Sequence, residues 1–180
     1  MVDVLGHLAI GLLCTVPAWV YWKEEVAFTF VAVVLSTVVI PDIDLYLPWV
    51  SHHGPTHTVL FVGIVAIAGG AVFERFAPRF LRDELRDDLR RAVPLGLFGF
   101  AAGALLVGGA SHVFVDSLST SPAGQPITPL WPLVETTSSV HVLRRFSAPI
   151  WNGIPFALGL SMHIGVLLPS VPQSIRLDFW

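Results

Sequence analysis

Residues 41–57 read PDIDLYLPWVSHHGPTH, which places two carboxylates, Asp42 and Asp44, and three imidazoles, His52, His53 and His57, within sixteen residues. An Asp-x-Asp pair can straddle one metal ion or serve two neighbouring ones; it can also be an ordinary turn at a helix end. Gly54-Pro55 makes a sharp turn that can fold His52 back onto His57. Further on, His112 and Asp116 are four residues apart. On a helix they share a face, as a metal-ligand pair or as a plain hydrogen-bonded pair. His7 stands in an apolar stretch near the N-terminus. Seven His/Asp donors with no sulfur, namely His7, Asp42, Asp44, His52, His57, His112 and Asp116, suit zinc, manganese or iron. The lone cysteine, Cys14, lies in an apolar run, which excludes a disulfide framework and a cysteine metal knuckle.

The elements that must position these groups are apolar. Hydrophobic residues make up 54% of the 180 and charged residues only 13%, and mean hydropathy is +0.73. Such a chain has too much apolar surface for a disordered segment. A soluble bundle of this size would have to hide nearly every long helix on all sides. Five apolar segments stand out, at 4–22, 26–40, 56–73, 93–115 and 150–171. A bilayer core needs about 20 helical residues, so the second is short and must borrow from residues 21–25 or lie obliquely. The MVDVLGH start has no basic residue, so a cleavable signal peptide is not expected. Pro41 is expected to end the second helix. Thr56 is expected to cap the third, with His57 in its first turn, where helix polarity disfavours imidazolium and favours a neutral, ligating ring.

Charge sets the expected orientation. Residues 74–92 hold Arg75, Arg79, Arg82, Arg86, Arg90 and Arg91, and the positive-inside rule puts this connector in the cytoplasm. Within it, Phe80, Leu81, Leu85 and Leu89 predict an amphipathic interfacial helix. Its aspartates, and a net charge of -3, argue against nucleic acid as a partner. With five alternating spans, eight basic residues fall inside, and only Arg144 and Arg145 outside. The same alternation brings His7, PDID, His57 and His112/Asp116 to the outer face. The expected fold is therefore all-α: a transmembrane bundle of about five helices forming one domain over 1–180, with an amphipathic cytoplasmic helix. Residues 117–149 form a long outer loop, a lid or a plain connector, with Trp131 as an interfacial anchor.

The motifs resemble those of the YdjM family of membrane-bound, metal-dependent hydrolases. That family carries a Gly-His pair in the first span, PDxD closing the second, HRGxTHS opening the third and HxxxD ending the fourth. Gly6-His7, Pro41-Asp42-Ile43-Asp44, His52 to Thr58 and His112 to Asp116 match in order, and Pro129-Leu130-Trp131-Pro132 matches a later LWP stretch. The resemblance covers about residues 5–133. His53 replaces the family's usual arginine, Thr58 its serine, and Leu45 a frequent histidine. An arginine would be a permanent bidentate phosphate donor, whereas His53 donates one N–H or, when protonated, two. A more distant similarity links the family to the zinc-dependent phospholipase C and P1 nuclease group, which implies phosphoester substrates.

The resemblance implies hydrolysis assisted by one or two divalent ions, zinc first and manganese or iron next. Asp42, Asp44, His57, His112 and Asp116 are then the main ligands, with His7 and His52 completing a second position. Asp44 is a candidate base, and His53 a candidate for binding an anion or protonating a leaving group. An outer-interface site points to a lipid-linked phosphate or another amphiphile, with membrane lipids as its surroundings. Neither GxSxG nor SxxK occurs, so serine hydrolysis lacks a motif. Two other readings are a metal or proton transporter, which also needs intramembrane His and Asp, and a non-catalytic membrane protein with a structural metal. His141 reads as a loop residue, and His163 as an interhelical hydrogen-bonding residue or part of a conduction route.

Overall fold

The computed structural model describes residues 3–118, 126–137 and 149–168. Among these, α1 (Val4–Thr15), α2 (Ala18–Tyr21), α3 (Glu24–Thr37), α4 (Val59–Phe76), α5 (Asp83–Ala92), α6 (Gly96–Leu118) and α7 (Pro149–Leu167) account for nearly all regular structure. Four stretches are long and apolar enough to cross a membrane: Val4–Tyr21, Glu24–Tyr46, Val59–Arg79 and Gly96–Leu118, with Asn152–Leu167 as a shorter apolar helix. The protein is an all-α, multi-pass membrane bundle of about five helices. Exposed apolar side chains such as Ile64, Ile67 and Val72 on α4 need no protein partner, because lipid covers them.

Helix directions follow from which residues meet. Leu35 and Val38 of α3 lie against Gly11 of α1, whereas Ala27 and Val31 pack with Ala18 and Trp19 of the α2 turn, so α1 and α3 are antiparallel. α3 and α6 are parallel: Phe30 meets Phe100, Val34 meets Gly108, and Val38 meets His112. α4 and α6 are antiparallel, with Gly70 on Phe98 and Ala102, and Val62 on Gly109. α7 runs parallel to α1, with Gly159 on Ala9 and Leu12 and His163 on Thr15 and Trp19. Five alternating spans require these four relations. Small residues make the contacts close: a Cβ on Gly108 would stand 2.8 Å from the Val34 carbonyl oxygen, and one on Gly109 2.7 Å from Val62 Cγ1. Without a hydrophobic drive between helices in lipid, this backbone proximity supplies much of the association.

Several boundaries differ from expectation. Pro17 breaks the first span into α1 and α2. Lacking an amide, it leaves carbonyls of the preceding turn without their usual donors. Val16 N closes onto the Leu13 carbonyl at 3.4 Å, and the Thr15 hydroxyl donates to the Gly11 and Leu12 carbonyls. From α7, His163 completes the repair. Trp19 Nε1–H only donates, so His163 Nδ1 accepts from it at 2.5 Å, and the ring proton sits on Nε2, 2.9 Å from the Leu12 carbonyl. His163 is thus the interhelical hydrogen-bonding residue, with both nitrogens occupied.

α3 stops at Thr37, before Pro41, and the chain continues as a 3-10 helix, Ile40–Tyr46. This extension, together with a start at Glu24, gives the second span the length that 26–40 lacked. The third helix is capped by Thr58, whose hydroxyl accepts from Phe61 N at 3.1 Å, not by Thr56. His57 therefore precedes the helix, in the 3-10 turn Pro55–His57, and not in its first turn.

The Arg-rich segment forms a helix as expected, but only from Asp83. Phe80 is 86% exposed and off the buried face, whereas Leu89 is fully buried with Val26, Leu97 and Phe100, and Leu81 and Leu85 pack around them. The register explains this: a 3-10 turn at Ala77–Arg79 precedes the helix and turns Phe80 away. Lys23 Nζ donates to Asp88 at 3.0 Å, tying α5 to the start of α3. Hydrogen bonds from Arg91 and then Lys23 hold the Asp88 carboxyl below the usual carboxylate range. Arg144, Arg145, Arg176, His141 and the 119–121 Ser-Thr-Ser run lie outside the described residues. Among the described residues of the 117–149 stretch, the Pro129 carbonyl accepts from Val59 N at 2.8 Å, which docks Pro129 at the start of α4.

Candidate metal centre

Helix alternation gathers one end of each long element: the first turns of α1, the 3-10 helix after α3, the turn before α4, and the last turns of α6. There His57, His112, His7 and Asp116 are essentially fully buried, Asp44 is 3% exposed, and Asp42, His52 and His53 are partly accessible. All eight residues singled out from sequence lie in this cluster. α5 and its arginines lie at the opposite end, with Lys23.

Hydrogen-bond partners define which ring nitrogens face the centre. His112 Nδ1 is 2.7 Å from the Val38 carbonyl oxygen, which only accepts, so Nδ1 carries the proton and donates. In the neutral ring Nε2 is then a lone pair. His57 repeats the arrangement. Its Nδ1 is 3.2 Å from Asp44 Oδ2 and 3.1 Å from the Thr56 hydroxyl, whose own proton goes to Asp44 Oδ2 at 2.9 Å. Both neighbours of Nδ1 accept, so Nε2 is again a lone pair. The two Nε2 atoms face each other at 3.2 Å.

Two carboxylates join them. Asp116 Oδ2 lies 3.1 Å from His112 Nε2 and 3.6 Å from His57 Nε2, and Asp42 Oδ1 lies 3.5 and 3.4 Å from the same atoms. Four acceptor atoms converging in a buried space repel one another unless a cation sits among them. The spacing fits one: ligand atoms about 2.0–2.1 Å from a tetrahedral centre stand about 3.3 Å apart. Five of the six separations here run from 3.1 to 3.6 Å. Asp42 Oδ1 is buried and has no hydrogen-bond partner. On donor type, spacing and burial, these residues fit a divalent metal.

Asp42, His57, His112 and Asp116 form one of three groups whose ligand atoms all lie within 4.8 Å of one another. The others are Asp42 with Asp44 and His52, and His52 with His53 and His57. His7 belongs to none of the three. It stacks on His112, with centroids 3.7 Å apart and planes 10° apart, and its Nε2 is 3.7 Å from Asp116 Oδ1.

Residues 1–175 match the family described as YdjM inner membrane protein. The chain belongs to the YdjM family. No curated protein and no solved structure matches it. In this YdjM chain the four motifs, dispersed over more than a hundred residues, converge at one end of one bundle. Sequence alone does not pick out two buried polar residues at this end of the bundle. Thr56, expected to cap a helix, instead turns its hydroxyl inward to Asp44. Asn152, 1% exposed on α7, lies by the parallel α1–α7 pairing at the end of the bundle that carries His7. A lone Asn in an apolar span was the available signal for it.

Proposed function

We propose that this protein is a metal-dependent hydrolase of phosphoesters, acting at the extracytoplasmic interface on a lipid-linked or otherwise amphiphilic substrate. The observation that carries the reading is the convergence of His57 Nε2, His112 Nε2, Asp42 Oδ1 and Asp116 Oδ2 at metal-ligand spacing. Two imidazoles and two carboxylates favour zinc, with manganese or iron next. A divalent ion there would polarise a phosphoryl oxygen and lower the pKa of a water towards about 7.

The remaining chemistry belongs to the chain. Asp44, expected among the ligands and as base, has both oxygens engaged, Oδ1 by His52 Nδ1 at 3.1 Å and Oδ2 by Thr56 and His57. This supports a role in orienting the two histidines. With its Nδ1–H on Asp44, His52 presents a buried Nε2 that has no hydrogen-bond partner. We assign that atom to take the proton from the attacking water, Asp44 steadying the imidazolium that results. His53 is held beside His52 in the left-handed region, φ 62°. Its N–H is assigned to a phosphoryl or leaving oxygen, as a weaker substitute for arginine. Ile43, Leu45, Tyr46 and Trp49 are exposed on the segment that carries Asp42 and Asp44, which supports an amphiphilic substrate. The arginines at the other end support the orientation.

A structural ion is the second reading, and one observation favours it: four protein donors converge at tetrahedral spacing and would complete the shell of a four-coordinate ion. Against it stand His52, Asp44 and His53, which a purely structural ion does not need. A transporter fits less well, because the donors gather at one end and His163 is fully engaged elsewhere. The test is an anomalous-scattering structure of untagged protein with elemental analysis, beside hydrolysis assays on lipid-linked and soluble phosphoesters. An ion at Asp42, His57, His112 and Asp116 with metal-dependent phosphate release would support the hydrolase. An ion with no turnover of any phosphoester would favour the structural reading, and no ion under metal-replete conditions would refute both.

A further inference from the structure

Thr56 belongs to no ligand group, and its expected role as a helix cap is taken by Thr58. It is nonetheless 6% exposed, with its hydroxyl in contact with two members of the cluster. The Nδ1 side of His57 has two acceptors, Asp44 Oδ2 at 3.2 Å and Thr56 Oγ1 at 3.1 Å. The Nε2 side faces two competing acceptors, Asp42 Oδ1 at 3.4 Å and Asp116 Oδ2 at 3.6 Å. A neutral imidazole has one N–H, so the two sides compete for it. Only the Nδ1–H tautomer leaves Nε2 free to ligate.

We propose that Thr56 is a positioning residue of the metal centre, whose hydroxyl fixes Asp44 Oδ2 and accepts from His57 Nδ1, so that the ring presents Nε2 to the ligand set. The inference rests on the reading of His57 as a ligand. Removing the hydroxyl takes away one acceptor of the Nδ1 proton and the donor that aims Asp44. The proton then spends more time on Nε2, and apparent metal affinity falls in proportion to the lost competent fraction. Outer partners of ligating histidines carry effects of about 10–100-fold in affinity.

Thr56→Val keeps the shape and removes the hydroxyl, whereas Thr56→Ser keeps the hydroxyl. Zinc affinity is measured by competition with a chelating dye on purified full-length protein, with the apo melting temperature recorded beside it. The expected result is a loss of about tenfold or more in Thr56→Val, near-parent affinity in Thr56→Ser, and similar apo melting in all three. Equal affinity in Thr56→Val, or an equal loss in Thr56→Ser, would overturn the proposal. Thr56→Ala is made in parallel in case valine is not tolerated, and is read the same way. Nitrogen-15 NMR of labelled histidines in metal-free protein gives a separate readout. The parent should show His57 Nε2 unprotonated, and the variant more Nε2–H; identical tautomers would overturn the role of Thr56. If the parent binds no zinc, the ligand reading fails and the proposal with it, whereas zinc bound equally by the parent and Thr56→Val overturns the role of Thr56 alone.

Discussion

Gly108 tests whether helix packing sets the geometry of the candidate metal centre. A Cβ built there would lie 2.8 Å from the Val34 carbonyl oxygen, 2.5 Å from Thr37 Oγ1 and 3.3 Å from Val38 N. The hydroxyl can turn aside, but the other two atoms are α3 backbone. Gly108→Ala must therefore push α3 from α6 by about half an ångström to reach ordinary contact. Close to the point of contact, Val38 offers its carbonyl to His112 Nδ1 at 2.7 Å. The same displacement stretches that bond to about 3.2 Å, the edge of hydrogen-bonding range, and loosens the hold on the His112 tautomer. Overpacking of this kind costs about 1–3 kcal/mol. Gly103, on the same helix, is the matched control, since a Cβ there meets nothing within 4 Å. Alanine at 103 should be neutral or up to about 1 kcal/mol stabilising through helix propensity. The assay is denaturant unfolding in mild detergent followed by tryptophan fluorescence, with zinc affinity measured on the same samples. Gly108→Ala should lose stability and bind zinc about tenfold more weakly, while Gly103→Ala loses neither. Equal behaviour of the two variants would show that α3–α6 proximity does not set the site.

The other predictions address separate parts of the molecule. His52→Gln should lower turnover of a phosphoester by about 10²-fold or more, the range of a lost general base, with zinc binding nearly unchanged; loss of zinc in proportion to turnover would make His52 a ligand instead. Trp19→Phe removes the donor to His163 and should cost about 0.6–2 kcal/mol, the range of interhelical hydrogen bonds in membranes, with zinc affinity unaltered. The Asp88 carboxyl is depressed by Arg91 and Lys23, so its contribution is complete above the ordinary carboxylate pKa of about 4 and is lost as pH falls through the lower folded value. Asp88→Asn should flatten that acid limb by less than about 1 kcal/mol, because the Lys23 partner is largely exposed and screened by solvent; an unchanged pH profile would contradict the tether. In a Cys14→Ser background, single cysteines at Trp49 and Asp83 should react with an impermeant maleimide from the outer and inner sides of the membrane respectively. Labelling of both from one side would refute the five-span alternation, and a reversed pattern would refute the orientation.

The length and hydropathy of the segments determined the membrane bundle, because burial of that much apolar surface has no other outlet in a chain of this size. Residue types and spacing also picked out the residues that cluster: His112 and Asp116 share a face through helical periodicity alone, and alternation of spans predicts that PDID and His57 meet them. What sequence left undecided was direction on the scale of single atoms. Whether Thr56 caps a helix or holds Asp44 depends on where the third helix begins, and that is fixed by the tertiary docking of Val59 N on the Pro129 carbonyl as well as by the Thr58 cap. Phe80 reads as part of the apolar face of α5 because periodicity does not register the 3-10 turn that rotates it outward. Which nitrogen of His112 meets the centre depends on a carbonyl 74 residues away, which the Gly108 contact brings within reach. Local pattern chose the residues, and long-range packing chose which of their donor atoms converge, since tautomers and side-chain direction answer to partners that only the folded chain brings together.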